Sequence, residues 1–338
     1  MRIAHVCYGA VPVPPKAYGG SERHIYAVAM LQARQGHDVT LFCHPESNVP
    51  GCGMVRIGLD GTAVQTLVIG FQKRQKFDVI HDHSPYGLIG TRNTGVKVIR
   101  TVYGDQNILL RTTLRDDVLT VFTSRAFAEF YGYPRNPVVF NPPVWEFDPK
   151  YYNTGKREPW VAYVGNLATF KGTHIALEWA KMMGRAIGVF GPAKDSSEYI
   201  HRLRSQSPYP EVGVGRALEL LKAGGPGPVF GGMANEEQKW TVLSRAHALF
   251  VPSVCVDNAP TIALEAMLAG CPILGHNVGG IPEILGREGG LATYDLEEIR
   301  HFDQWIEKHY HPELAHNRVL EVYNVERCVE AYEKLYQA

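Results

Sequence analysis

Several absences narrow the reading of this chain. No apolar run reaches the ~20 residues that a membrane-spanning helix needs. Six cysteines stand at 7, 43, 52, 255, 271 and 328, with no Cys-x-x-Cys spacing. That scatter argues against both a disulfide framework and a zinc knuckle. No charge of either sign is in excess: Lys plus Arg count 34 and Asp plus Glu count 34, so nucleic-acid binding through bulk charge is not expected. No Gly-x-Gly-x-x-Gly follows the first strand-like run, which deprives a dinucleotide oxidoreductase of its main support. A Gly-x-x-x-x-Gly-Lys-Ser/Thr loop is missing too, so this is not a P-loop enzyme. Asp-x-Asp does not occur, and no internal repeat or low-complexity tract stands out. Met1-Arg2-Ile3-Ala4-His5-Val6 leads directly into strand-like sequence without the n-region and h-region of a signal peptide, and the expected location is cytoplasmic.

What is present is ordinary globular sequence, 45% hydrophobic over 338 residues. One core rarely grows past ~250 residues, so two domains are expected. Short β-branched runs alternate with amphipathic segments, the α/β signature. Strands are predicted at 3–8, 38–44, 78–83, 96–103, 118–123 and 138–141, with a helix at 21–35 closed by Gly36. Breakers crowd residues 141–156, which read as a linker. Beyond it, strands at 160–165, 187–191, 229–231, 249–252 and 272–275 alternate with helices at 173–183, 196–204, 236–246 and 261–268, and 296–336 is helical in pattern. Continuous apolar strands suit parallel sheets covered on both faces. The expected architecture is α/β: two doubly wound Rossmann-like domains, 1–150 and 151–321, facing each other across a cleft, with ligand at the carboxyl ends of the strands. Residues 1–150 carry 16 basic and 12 acidic side chains, and 151–338 carry 18 and 22. The first half is mildly positive, a bias that would tolerate an anionic acceptor. Its densest basic run, Lys73-Arg74-Gln75-Lys76, reads either as an anion contact or as a solvated helix end.

Four segments carry candidate chemistry. In Tyr18-Gly19-Gly20-Ser21-Glu22, paired glycines before a helix let backbone N–H groups approach a phosphate, unless the segment is a plain turn with Ser21 as N-cap. His81-Asp82-His83 ends a strand, so an imidazole there could meet a substrate, bind a metal or serve structure; no cluster of Asp, Glu or Cys completes a metal site. Residues 165–172 form a strand–loop–helix in which Lys171 is placed to meet a phosphate or is a loop lysine facing water. The run from Pro252 through Asp257, Asn258, Ala259, Pro260 and Thr261 to Glu265 and Pro272 is the most informative. Pro260 or Thr261 opens a helix, and Glu265 sits one turn inside it among small and apolar neighbours. A buried carboxylate needs a partner, which a ribose diol would supply, or else an Arg or a backbone donor. Gly279-Gly280 starts another short helix and could donate amides to a sugar or phosphate.

Taken together, these positions resemble the family 4 retaining nucleotide-sugar glycosyltransferases of the GT-B fold. The resemblance runs in order through Gly19-Gly20, Gly36-His37-Asp38-Val39, Asp78 to His83, Ser124, Val164-Gly165 to Lys171-Gly172, and Pro252 to Glu283. It implies that Glu265 binds the ribose hydroxyls and Lys171 the diphosphate, on which the Gly19-Gly20 loop closes. His83, ahead of His81, would contact the transferred sugar. Asp257 stands where the family usually has the first glutamate of a Glu-x7-Glu pair and would meet the donor sugar. Asn166 replaces a frequent arginine beside the glycine, and Asn258, Ala259, Pro260 and Thr261 would complete the donor site. The last helix, 322–338, would cross back onto the first domain, which takes the acceptor while the second takes the donor.

The expected reaction is transfer of a sugar from a nucleoside diphosphate sugar to a hydroxyl acceptor with retention, needing no metal and no cofactor. The donor is expected to be a UDP-sugar and the acceptor a glycan, a lipid-linked or a small molecule, with peripheral membrane contact left open. Two other readings also stay open: a nucleotide-sugar epimerase of similar fold, and a non-catalytic nucleotide-sugar or glycan-binding module.

Overall fold

The computed structural model describes residues 1–16, 19–85, 87–104 and 114–338; Tyr18 of the glycine loop lies outside them. The chain divides into two compact units. One comprises Met1–Trp145 with Tyr323–Ala338, the other Glu146–Val322.

In the first unit six parallel strands, β1 (Arg2–Val6), β2 (Asp38–Cys43), β3 (Gly53–Arg56), β4 (Val79–Asp82), β5 (Lys97–Val102) and β6 (Leu119–Phe122), lie in the order β3-β2-β1-β4-β5-β6. Around them are α1 (Gly20–Arg34), α2 (Gly61–Gln75), α3 (Arg125–Phe130) and, from the far end of the chain, α13 (Val325–Gln337). Buried Ile3, Val79, Ile99 and Val121 pack beneath α1 and against Val325, Val329 and Tyr332 of α13. A second layer of Ala4, Val6, Phe42 and Ile80 packs with Val64 and Val68 of α2.

The second unit repeats that topology with β7 (Val161–Val164), β8 (Ile187–Phe190), β9 (Pro228–Gly232), β10 (Leu249–Val251), β11 (Ile273–Gly275) and β12 (Gly290–Ala292), ordered β12-β11-β10-β7-β8-β9. Its helices are α4 (Thr173–Met182), α5 (Ser197–Arg204), α6 (Val214–Lys222), α7 (Glu236–Arg245), α8 (Thr261–Leu268), α9 (Ile281–Leu285), α10 (Leu296–Arg300), α11 (Phe302–His309) and α12 (Pro312–Val322). Both sheets are doubly wound, each with its strand order reversing beside its first strand.

Some elements depart from the sequence reading. Strand 138–141 reduces to a bridge between Phe122 and Val138, because Pro137, Pro142 and Pro143 bracket it and cannot donate to a ladder. β3, α2, α6 and β12 were not foreseen. The basic run at 73–76 is exposed and ends α2, with cations where the helix dipole favours them.

Candidate functional site

In an open α/β sheet, ligands bind beyond the carboxyl ends of the strands where the order reverses. In the first unit that point lies between β1 and β4, and the register there sets His5 directly beside His81. His83 follows on the same face. Asp82, between His81 and His83, fixes the turn that follows β4: its buried carboxylate accepts from the Ser84 amide (2.9 Å), the Ser84 hydroxyl (2.6 Å) and the Ile89 amide (2.8 Å).

The imidazoles are tied into one network. Gln32 of α1 accepts from His5 Nε2 at 2.7 Å, and its amide nitrogen donates to the Tyr336 hydroxyl at 3.3 Å. His5 Nδ1 is then an acceptor and takes the His83 Nε2 proton at 2.8 Å, while Tyr103 donates to His83 Nδ1 at 2.6 Å. Tyr336 in turn donates to His81 Nδ1 at 2.7 Å, and His81 Nε2 donates to Thr101 Oγ1 at 2.7 Å. Burial holds these rings, and that of His24 in α1, neutral: His5 titrates at about 4, His24 at about 3, and His81 and His83 well below the usual histidine range. His81 therefore faces the interior, not a ligand. His83 offers an edge to a pocket of about 110 Å³ that it lines with Tyr8, Ser21, Glu22 and Tyr103. Gly20 opens α1 and Gly19 is its N-cap, with no side chain among the described residues capping the helix; Ser21 is inside the first turn and donates to Glu22 at 3.0 Å. Burial raises the Glu22 carboxyl above the usual range.

His5, His81 and His83 bring three ring nitrogens within 4.8 Å of one another, the one candidate metal cluster among the described residues. The sequence reading missed His5 in it. Metal-binding imidazoles converge edge-on with free lone pairs. Here His5 and His83 stack at 21° and His81 lies 3.9 Å from His83, with both nitrogens of each ring hydrogen-bonded inside the protein. The donor set fits a hydrogen-bonded stack rather than a metal cage.

In the second unit the order reverses between β7 and β10, and the loops after these strands carry the other candidates. Gly172 has φ 69°, and a Cβ there would stand 1.9 Å from the Pro252 carbonyl oxygen, so only glycine lets the two loops touch. The Val254 amide donates to the Phe170 carbonyl at 2.9 Å across the same contact. Lys171 is thereby brought onto Asp257, and the two form a salt bridge in which Asp257 is buried and Lys171 a quarter exposed. Ser253 Oγ also donates to Asp257, at 3.0 Å. Gly280 spends its amide on the Asp257 carbonyl at 2.8 Å, so that group is not offered to a ligand as the sequence suggested. Asn166 Oδ1 is buried without a partner among the described residues. Asn258, Ala259 and Pro260 lead from Asp257 into α8, where Pro260 is the N-cap and Thr261 the first helical residue. Glu265 is 3% exposed, and Lys239 of α7, which the sequence did not single out, donates to its Oε1 at 2.6 Å.

His83 with the Gly19-Gly20 loop thus belongs to the first unit, and Lys171, Asp257, Asn166 and Glu265 to the second. His5 was the findable omission, because adjacent strands written Ile-Ala-His and Val-Ile-His pair in parallel. Lys239 has no local signal: its partner is 26 residues away.

Known proteins match in both halves. The family model described as Glycosyltransferase Family 4 matches residues 18–144, and that described as Glycosyl transferases group 1 matches 228–337. No curated protein matches the chain significantly in sequence. Among solved structures, AviGT4, a glycosyltransferase involved in avilamycin A biosynthesis, is similar at TM-score 0.76 and 21% identity, covering 100% of this chain and 97% of that one. HepE of Anabaena, solved with UDP and glucose, is similar at TM-score 0.71 and 14% identity, with 100% of each chain covered. Sucrose-phosphate synthase from Thermosynechococcus elongatus follows at TM-score 0.69 and 17% identity, covering 100% of this chain and 98% of that one. These likenesses establish the fold, and the two family models between them span well over half of the sequence. The chain belongs to the family 4 glycosyltransferases and has their GT-B fold of two Rossmann-like domains.

Proposed function

We propose that this glycosyltransferase moves a sugar from a UDP-sugar to a hydroxyl acceptor, with retention and without a metal ion. The observation that carries the reading is the Lys171–Asp257 pair at the reversal point of the second sheet. Donor binding exchanges it: the Lys171 ammonium turns to the diphosphate, and the released Asp257 carboxylate accepts hydrogen bonds from the donor sugar. Glu265 accepts from the ribose hydroxyls. Asn166, Asn258, Ala259, Pro260 and Thr261 line the donor site, the Gly19-Gly20 loop approaches the diphosphate through its amides, and His83, neutral and with both nitrogens engaged within the protein, meets the sugar through its ring edge.

The bond between the anomeric carbon and the diphosphate oxygen breaks as the acceptor oxygen bonds to that carbon on the same face. The acceptor proton passes to the departing phosphate oxygen. Lys171 stabilises the charge that grows on the leaving group, the largest expected contribution. UDP is favoured because the structurally similar HepE was solved with UDP and with UDP-glucose.

The test is a thermal-shift panel of UDP, GDP and ADP with their sugars, followed by nucleotide release in the presence of acceptors. UDP and a UDP-sugar should raise the melting temperature, since a ligand of the folded state stabilises it. Chelating divalent metal should leave turnover intact, and Lys171→Met should lower it by ~100-fold. No stabilisation by any of the nucleotides, or turnover lost on chelation, overturns the reading.

A further inference from the structure

A carboxylate buried as deeply as Glu265 has to be paired, and the way it is paired is informative. Lys239 Nζ lies 2.6 Å from Glu265 Oε1 and 3.0 and 3.2 Å from the two oxygens of Glu236. An ammonium has three donors, and these three contacts use them all. Lys239 therefore has nothing left to give a ligand directly, and whatever it does to one it does through Glu265. The lysine is itself held. An Asn235–Gln238 capping box fixes the start of α7, and Glu236 and Lys239 sit one turn apart on it. The next residue, Trp240, is buried and packs with the rings of Phe147 and Tyr151.

Stability is a poor reason for such a pair. Desolvating two charges roughly cancels their attraction, and apolar residues of similar volume often serve as well or better. A fixed, ionised acceptor is the better reason. A carboxylate accepts strongly from hydroxyls only when it is charged and correctly turned, and Lys239 supplies both conditions from a rigid helix.

We infer that Lys239 is a positioning residue for nucleotide recognition: by clamping Glu265 Oε1 it sets the carboxylate that reads the ribose diol, and so makes the enzyme select ribonucleotides. The inference rests on the assignment of Glu265 to the ribose, and the experiment separates the two.

Affinities of the full-length protein for UDP and for 2′,3′-dideoxy-UDP are measured by calorimetry in the wild type and in variants, with melting temperatures as a check on folding. The wild type should prefer UDP by at least about tenfold. Lys239→Met should bring UDP affinity down to that of the dideoxy compound and leave the latter unchanged, a pattern that general loosening of the fold would not give. Lys239→Arg should restore most of the preference. The double variant Lys239→Met with Glu265→Gln removes both charges, so it is expected to fold even where the single variant does not. It should match Glu265→Gln alone for both ligands.

If the wild type shows no preference, the ribose assignment itself fails. If the wild type prefers UDP and Glu265→Gln does not, yet a folded Lys239→Met keeps the preference, the inference fails alone. A further loss for both ligands in the double variant also overturns it, because Lys239 would then act independently of Glu265.

Discussion

Four imidazoles, His5, His24, His81 and His83, are buried in the first unit, and the pH sets what that burial costs. Each titrates below the ~6.5 of an unfolded chain, so the folded state binds fewer protons than the unfolded state in acid. Their contribution is fully present above ~6.5 and is lost as the pH falls toward about 4 for His5 and about 3 for His24. Each imidazole steepens the loss by about 1.4 kcal/mol per pH unit in that window. Guanidinium titrations at about pH 7.5 and about pH 5 should show the first unit weakening sharply. The residues differ in kind. His24 Nδ1 has no partner among the described residues and Nε2 only a 3.4 Å contact with the Tyr332 hydroxyl, so His24→Phe should lie within ~1 kcal/mol of wild type at neutral pH and flatten the acid slope. His5→Phe orphans both Gln32 Oε1 and the His83 N–H and should cost ~2–4 kcal/mol. The opposite ranking would refute the network. At this scale, legibility followed distance along the chain. His83, Lys171 and Asp257 stand out because each closes or follows a strand. Gln32 and Lys239 do not, since each acquires its role only when folding delivers a remote partner; His5 becomes readable once β1 is set beside β4.

Two loops of the second unit depend on backbone approach more than on side chains. At Gly172 both φ and the Pro252 carbonyl exclude a Cβ, so Gly172→Ala must push the 165–172 loop off β10 and carry Lys171 away from Asp257. The expected loss is at least ~2 kcal/mol of stability, with weaker UDP binding by calorimetry. Gly70, inside α2 with open space where its Cβ would be, is the control: Gly70→Ala should add ~0.5–1 kcal/mol in the same unfolding assay. Equal effects at the two sites would mean that the loop contact does not constrain Lys171. The elements flanking these loops were readable, because buried parallel strands are continuous apolar runs and α8 is flanked by a proline and a glycine. β3 was not, being four residues of half-exposed edge strand that opens on glycine. α2 hid its period because valine, isoleucine and leucine spread around the helix and leave only Val64, Val68 and Gln72 buried.

The chain leaves the first unit at Trp145, builds the second without interruption, and returns at Tyr323, so the two units are not equally self-sufficient. Residues 146–322 contain the whole second sheet, its core from Val161 to Phe302, and the Lys171, Asp257, Lys239 and Glu265 contacts. Residues 1–145 lack α13, whose Val325, Cys328, Val329, Tyr332 and Tyr336 are buried against β1, β4 and α1. At ~1.5–3 kcal/mol for each large apolar side chain, losing that helix removes about as much as a domain's entire net stability of ~5–15 kcal/mol. The loss is larger still in kind, for Tyr336 is the hydroxyl that joins Gln32 to His81. Segment 146–322 expressed alone should therefore unfold cooperatively and bind UDP, while 1–145 alone should show no cooperative transition. Supplying 323–338 as a fused or added peptide should restore one. A cooperative 1–145 would mean that α13 only decorates the first unit, and a 146–322 segment that is folded but blind to UDP would place essential donor contacts outside it.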